Sequence, residues 1–136
     1  MATQHVFDYL EEPSPASTVT AVFGDEPFLK RLAIKRLLTA VFGDDQPPYA
    51  KFDGATAEWR DVFDELRTRS LFTGDGERLA LISAADEFVT RYRAPLEDYL
   101  QKGDPHGILV LDVVKWPANT RLYKMLAKSH LQIECR

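Results

Sequence analysis

Five short apolar runs limit what this chain can fold into: Val19–Phe23, Tyr49–Phe52, Arg78–Ile82, Ile108–Leu111 and Leu131–Cys135. The clearest, Ile108-Leu109-Val110-Leu111, is continuous, not alternating. A strand covered on one face alternates apolar with polar residues, whereas a strand buried on both faces reads as an unbroken apolar run. The runs recur near the ~30-residue length of a βαβ unit, which parallel strands need for their crossover. Helical periodicity fills the gaps. The expected fold is therefore α/β: a three-layer sandwich with a five-stranded parallel sheet between helices and right-handed crossovers.

The helices can be placed from their punctuation. The first begins near Pro27, a residue suited to the first helical turn, with Asp25 and Glu26 beside the positive helix end. Ile34, Leu37, Leu38 and Val41 form its apolar stripe, and Gly43 stops it. A second runs from about Ala57 to Thr68, with Trp59, Val62, Phe63 and Leu66 on one face. A third contains Leu96, Tyr99 and Leu100, and Pro95 either opens it or bends an earlier turn. The fourth follows Pro117, turning Leu122, Met125 and Leu126 inward and Arg121, Lys124 and Lys128 to the other side. Before the first strand, Val6, Phe7 and Leu10 suit a short helix ended by Pro13 and Pro15.

Length and composition narrow the function classes. A chain of 136 residues fits one domain, and 45% apolar with 28% charged residues is ordinary globular composition. No segment approaches the ~18–20 apolar residues that span a bilayer, and the N-terminus lacks a basic start and apolar run, so the expected compartment is the cytoplasm with no membrane partner. Seventeen basic against twenty-one acidic side chains give a net charge of −4, which argues against a broad basic face for nucleic acid. The single cysteine, Cys135, can form no internal disulfide, and His5, His106 and His130 have no ligand spacing, so no metal site is expected.

In folds of this kind a ligand sits beyond the strand C-termini, with phosphate on the first helix's N-terminus. Here that turn reads Gly24-Asp25-Glu26-Pro27. A P-loop needs several glycines, free N–H groups, a phosphate-binding lysine and a hydroxyl for magnesium. This turn offers one glycine, sets two carboxylates where the anion would lie, and loses an N–H at Pro27. No GxGxxG fingerprint replaces it. No nucleotide or other cofactor is expected. Asp86-Glu87 follows the third strand, where an ATPase of this class carries carboxylates for metal and water. It lies past the strand end, with Ser83 nearer, and reads as helix-start acid. Asp112 reads as a surface cap in preference to a metal ligand, Cys135 as an edge-strand hydrophobe, and the histidines as solvated loop residues. Ser70, Ser83 and Ser129 lack a nucleophile elbow. No catalytic site assembles.

Four stretches, in order along nearly the whole chain, resemble one family. They are Val22-Phe23-Gly24-Asp25-Glu26-Pro27-Phe28-Leu29; Phe52-Asp53-Gly54 with Trp59; Ser70-Leu71-Phe72 followed by Glu77-Arg78-Leu79-Ala80-Leu81-Ile82; and Lys115 with Leu122-Tyr123-Lys124. The sequence is similar to the N-terminal domain of the delta subunit of the bacterial DNA polymerase III clamp loader. The resemblance implies an AAA+ (P-loop-NTPase-like) fold without a functional P-loop, in a non-catalytic subunit of a DNA-directed DNA polymerase. It implies binding and opening of the sliding clamp (the beta subunit), contact with other loader subunits through domains absent from 1–136, and only indirect contact with DNA.

The family's clamp contact maps onto Ser70, Leu71 and Phe72. Many clamp ligands precede the Leu-Phe pair with Gln and an apolar residue, whereas Thr68 and Arg69 stand here. By its residues alone the pair also suits the domain's own core; the polar tip Thr73-Gly74-Asp75-Gly76 suits exposure. Burying both side chains contributes roughly 3–6 kcal/mol, too little alone against association costs of at least several kcal/mol. The rival readings are a degenerate P-loop or Rossmann-like domain holding a nucleotide or other small ligand, and the delta-prime subunit, whose cysteine cluster for zinc is missing.

Overall fold

A computed structural model describes residues 3–12, 19–43, 49–67, 78–102 and 107–135. The elements run β1 (Thr3–His5), α1 (Val6–Glu11), β2 (Val19–Phe23), α2 (Pro27–Phe42), β3 (Ala50–Asp53), α3 (Trp59–Arg67), β4 (Arg78–Ser83), α4 (Asp86–Arg91), α5 (Arg93–Lys102), β5 (Gly107–Val113), α6 (Arg121–Ser129) and β6 (Leu131–Glu134). The strands form one sheet in the order β1-β6-β2-β5-β4-β3. Every pairing is parallel, with Val19 opposite Leu109 and Thr20 opposite Leu131 at the centre.

Successive residues of the central strands enter opposite cores, as the two-residue strand period requires. Ala21 and Phe23 of β2, Ala80 and Ile82 of β4, and Leu109, Leu111 and Val113 of β5 share a core with α3 through α6. Val22, Leu79, Leu81, Ile108, Val110 and Ile133 share the other with α1 and α2. This is the expected three-layer sandwich. On the larger side, Trp59, Phe63 and Tyr99 pack with ring centroids 5.6–5.9 Å apart and join α3 to α5. The expected third helix is two: α4 ends at Arg91, and α5 starts at Arg93 with Pro95 in its first turn, where a missing N–H costs nothing.

The sheet has six strands, not five. The added strand, β1, is three residues of Thr-Gln-His, too short and too polar to register as an apolar run. A buried polar side chain anchors it. Gln132 of β6 is fully buried, accepts a hydrogen bond from the Trp116 indole Nε1–H, and donates through Nε2 to Thr3 Oγ1 at 2.8 Å. β6 is thus an inner strand between β1 and β2, and Cys135 directly follows it with its N–H donating to Phe23 O, so the reading of Cys135 as an edge-strand residue is corrected. α1 forms as expected, but it buries Val6 and Tyr9 and leaves Phe7 58% exposed.

Replacing Gln132 with Leu removes the acceptor of the Trp116 indole N–H. A buried donor left unsatisfied costs roughly 1–3 kcal/mol, so Gln132→Leu should lower the urea midpoint despite its greater apolarity. Amide exchange at residues 3–5 should accelerate while β5 remains protected. An unchanged midpoint would show that the network does not hold β1.

Candidate functional site

The C-terminal edge of the sheet is closed by backbone before any side chain acts. Gly24, directly after β2, has φ +134°, a conformation that side-chain-bearing residues rarely adopt. A Cβ there would stand 2.1 Å from the carbonyl oxygen of Cys135. Gly24 N donates to Val113 O at 3.2 Å, and Cys135 N donates to Phe23 O at 2.7 Å. The turn is thereby pinned to the ends of both neighbouring strands. Asp25, Glu26 and Pro27 are exposed; Glu26 takes the N-cap position of α2 without a side-chain hydrogen bond, and Pro27 opens the helix.

One turn into α2, the space beside this turn is filled by Lys30. Its ammonium lies 2.9 Å from Asp112 Oδ1 and donates to Val113 O at 3.3 Å. The two side chains are 9% and 23% exposed. Asp112 at the end of β5 is therefore a partly buried ion-pair partner, which corrects the surface-cap reading. Lys30 is a site residue outside the sequence candidates, although its spacing carries the signal. Lys30, Ala33 and Leu37 follow i, i+3, i+7 and are all buried. A cation inside an apolar stripe requires an opposing acid, because burying an unpaired charge is costly.

A second carboxylate at this edge is also committed. Asp86 accepts from Val114 N at 3.0 Å and from Lys115 N at 2.9 Å, tying the first turn of α4 to the chain leaving β5. This agrees with the helix-start reading. His5 is not a solvated loop residue: it caps α1, with Nδ1 accepting from Phe7 N at 3.2 Å. His130 follows α6 half-buried, and burial lowers its pKa. Among the described residues no group of three or more His, Cys, Asp and Glu side chains is placed to hold a metal. His106 and the Ser70, Leu71 and Phe72 triplet lie outside the described residues. No described helix is long and apolar enough to cross a membrane.

Cys135 sits against the same pair. Burial pushes its thiol up to about 12; Lys30 pulls the other way, and Asp112 and Glu134 add to the rise. The folded pKa lies above the unfolded one, so this group's contribution to stability is full below about 9 and is lost as pH rises toward 12. At pH 8 the native thiol should resist a disulfide reagent such as Ellman's and react promptly once urea unfolds the chain. Fast native labelling would contradict the burial.

Removing one member of the ion pair strands the other. Loss of one partner from a fully buried pair costs roughly 3–5 kcal/mol, and the 23% exposure of Asp112 should make Lys30→Met milder than that. Combining Lys30→Met with Asp112→Leu should restore much of the loss, since an apolar replacement of both partners is often neutral. A denaturant double-mutant cycle measures this coupling, and additive single effects would show that the pair is not coupled.

Comparison with known proteins places this geometry in a family. The family model for the delta subunit of DNA polymerase III matches residues 21–136. Among curated proteins no sequence match is found. Among solved structures the fold is similar to the Bacillus subtilis DNA clamp loader delta protein, with a TM-score of 0.71 and 20% sequence identity. That alignment covers 95% of this chain and 41% of the matched chain. With a parallel α/β fold shared with that protein and a family match running from β2 to its last residue, the chain belongs to the DNA polymerase III delta subunit family.

Proposed function

We propose that residues 1–136 act as the N-terminal, AAA+-type, clamp-gripping domain of a delta subunit, a cytoplasmic and non-catalytic part of the replicative polymerase's clamp loader. The observation that carries this reading is the family match over residues 21–136. The domain binds the sliding clamp through Ser70, Leu71 and Phe72 and helps open it. ATP is handled by other loader subunits, which this protein meets through domains outside 1–136, and it touches DNA only indirectly. The Lys30–Asp112 pair supports the non-ATPase part: the lysine one turn into α2 is already neutralised by a carboxylate at 2.9 Å. The exposed Asp25 and Glu26 add negative charge where a phosphate would approach. No observation favours the small-ligand alternative over this reading.

Clamp binding is tested by surface plasmon resonance on immobilised cognate clamp. The variant carrying Leu71→Ala and Phe72→Ala should lose detectable binding while its circular-dichroism melt stays near that of the parent. If the pair were core instead, truncation would cost several kcal/mol, given ~2–5 for Leu and ~3–5 for Phe. A sharply lowered melt, or binding equal to the parent, would sink the assignment of the contact to this pair.

A further inference from the structure

Among the bonds that fasten residues 3–12 to the domain, one can take up a proton. Thr3 Oγ1 accepts from the buried Gln132 at 2.8 Å, and Gln4 donates through Nε2 to Glu12 O at 3.1 Å, bringing the end of α1 back to β1. Hydroxyl and amide side chains do not titrate near neutral pH. The cap of α1 differs. His5 Nδ1 accepts from Phe7 N at 3.2 Å, and the imidazole lies against the Phe7 ring with centroids 5.2 Å apart. This cap holds the start of a helix that buries Val6 and Tyr9 in the core shared with α2.

An imidazole nitrogen accepts a hydrogen bond only while it carries no proton. A proton on Nδ1 turns the acceptor into a donor facing the Phe7 N–H, and it sets positive charge at the positive end of α1. The cap bond therefore exists in one charge state and not in the other. Charged groups on the neighbouring elements decide where an imidazolium would turn. On β6, Glu134 stands opposite His5 in the parallel ladder and lines a cleft with Lys115. On α1, Asp8 is exposed in the first turn, and Glu11 and Glu12 are exposed at the far end. On α2, Arg36 faces Tyr9. The groups nearest the imidazole, in the ladder and along the chain, are thus the carboxylates of Glu134 and Asp8.

We infer that His5 is a proton-operated catch on the β1–α1 unit. Neutral, it caps α1 through Nδ1. Protonated, it releases the Phe7 N–H and turns its charge to Glu134 and Asp8, so the first turn of α1 opens while β1 stays held by Gln132. Histidine is the side chain whose charge changes between about pH 5 and 8. The catch lies ahead of residues 21–136, which the family model matches, and uses none of Ser70, Leu71 and Phe72, so it stands or falls apart from the clamp reading.

Amide hydrogen exchange of residues 1–136 at about pH 8 and about pH 5, corrected for the intrinsic pH dependence of exchange, tests this. Protection of the Phe7 amide should fall about tenfold between the two, the size of a lost N-cap, while the amides of Leu109 and Val110 keep theirs. His5→Asn retains a capping oxygen that does not titrate, and should protect Phe7 equally at both values. His5→Ala should show at both values the low protection that the parent shows in acid. Unchanged protection in the parent would overturn the inference. An equal fall in His5→Asn would overturn it too, by assigning the effect to a carboxylate, as would a matching fall at Leu109 and Val110, which would mean general loosening.

Discussion

β2 is buried on both faces and hydrogen-bonded along both edges, to β6 and to β5, and the end of the sheet is built around that confinement. A strand held in this way cannot adjust its exit independently of its neighbours. The turn at Gly24 is accordingly drawn against the Cys135 carbonyl, where only a residue without a Cβ fits. α2 must then start at once, with Pro27 in its first position, and the side chain one turn later is directed to the end of β5. Lys30 meets Asp112 there as a consequence of backbone geometry fixed several residues earlier.

Such a pair is not a large net source of stability. Desolvating two charges offsets most of their attraction, and apolar substitutes often do as well. Its effect is on what else can occupy the site. A lysine near the first-helix turn is the group a nucleotide-binding domain would direct at a phosphate. Here its charge is neutralised within the fold, its ammonium also donates to the Val113 carbonyl, and the exposed turn ahead of it carries Asp25 and Glu26. A triphosphate would have to break the pair and expose Asp112 to like charge.

The parts of this arrangement that were legible in the sequence are those that local chemistry dictates. Continuous apolar runs marked β2, β4, β5 and β6, because a doubly covered strand has few polar positions to spare, whereas β3, at the sheet edge, alternates half-buried with exposed residues. The degenerate turn was visible because glycine, proline and acid each act on the backbone within a residue or two. What escaped was set by distant partners. β1 exists through Gln132, more than a hundred residues away, and its own three residues carry no strand signal. Asp112 looked like a surface acid because Lys30, eighty-two positions earlier, is invisible to a window reading. Cys135 seemed to lie at an edge only because β1 had not been counted. The charged face of α6 was plain from its period, but the edge-on contact of Phe23 with Tyr123 joins residues a hundred positions apart.

The claim that the turn before α2 is closed by the protein's own ion pair is tested most directly by isothermal calorimetry of residues 1–136 with magnesium ATP. The account predicts no saturable heat with ligand raised to millimolar concentration. A saturable isotherm with a micromolar Kd, about −8 kcal/mol of binding free energy, would contradict it, since that much interaction requires donors which Lys30, Pro27 and the adjoining carboxylates do not supply.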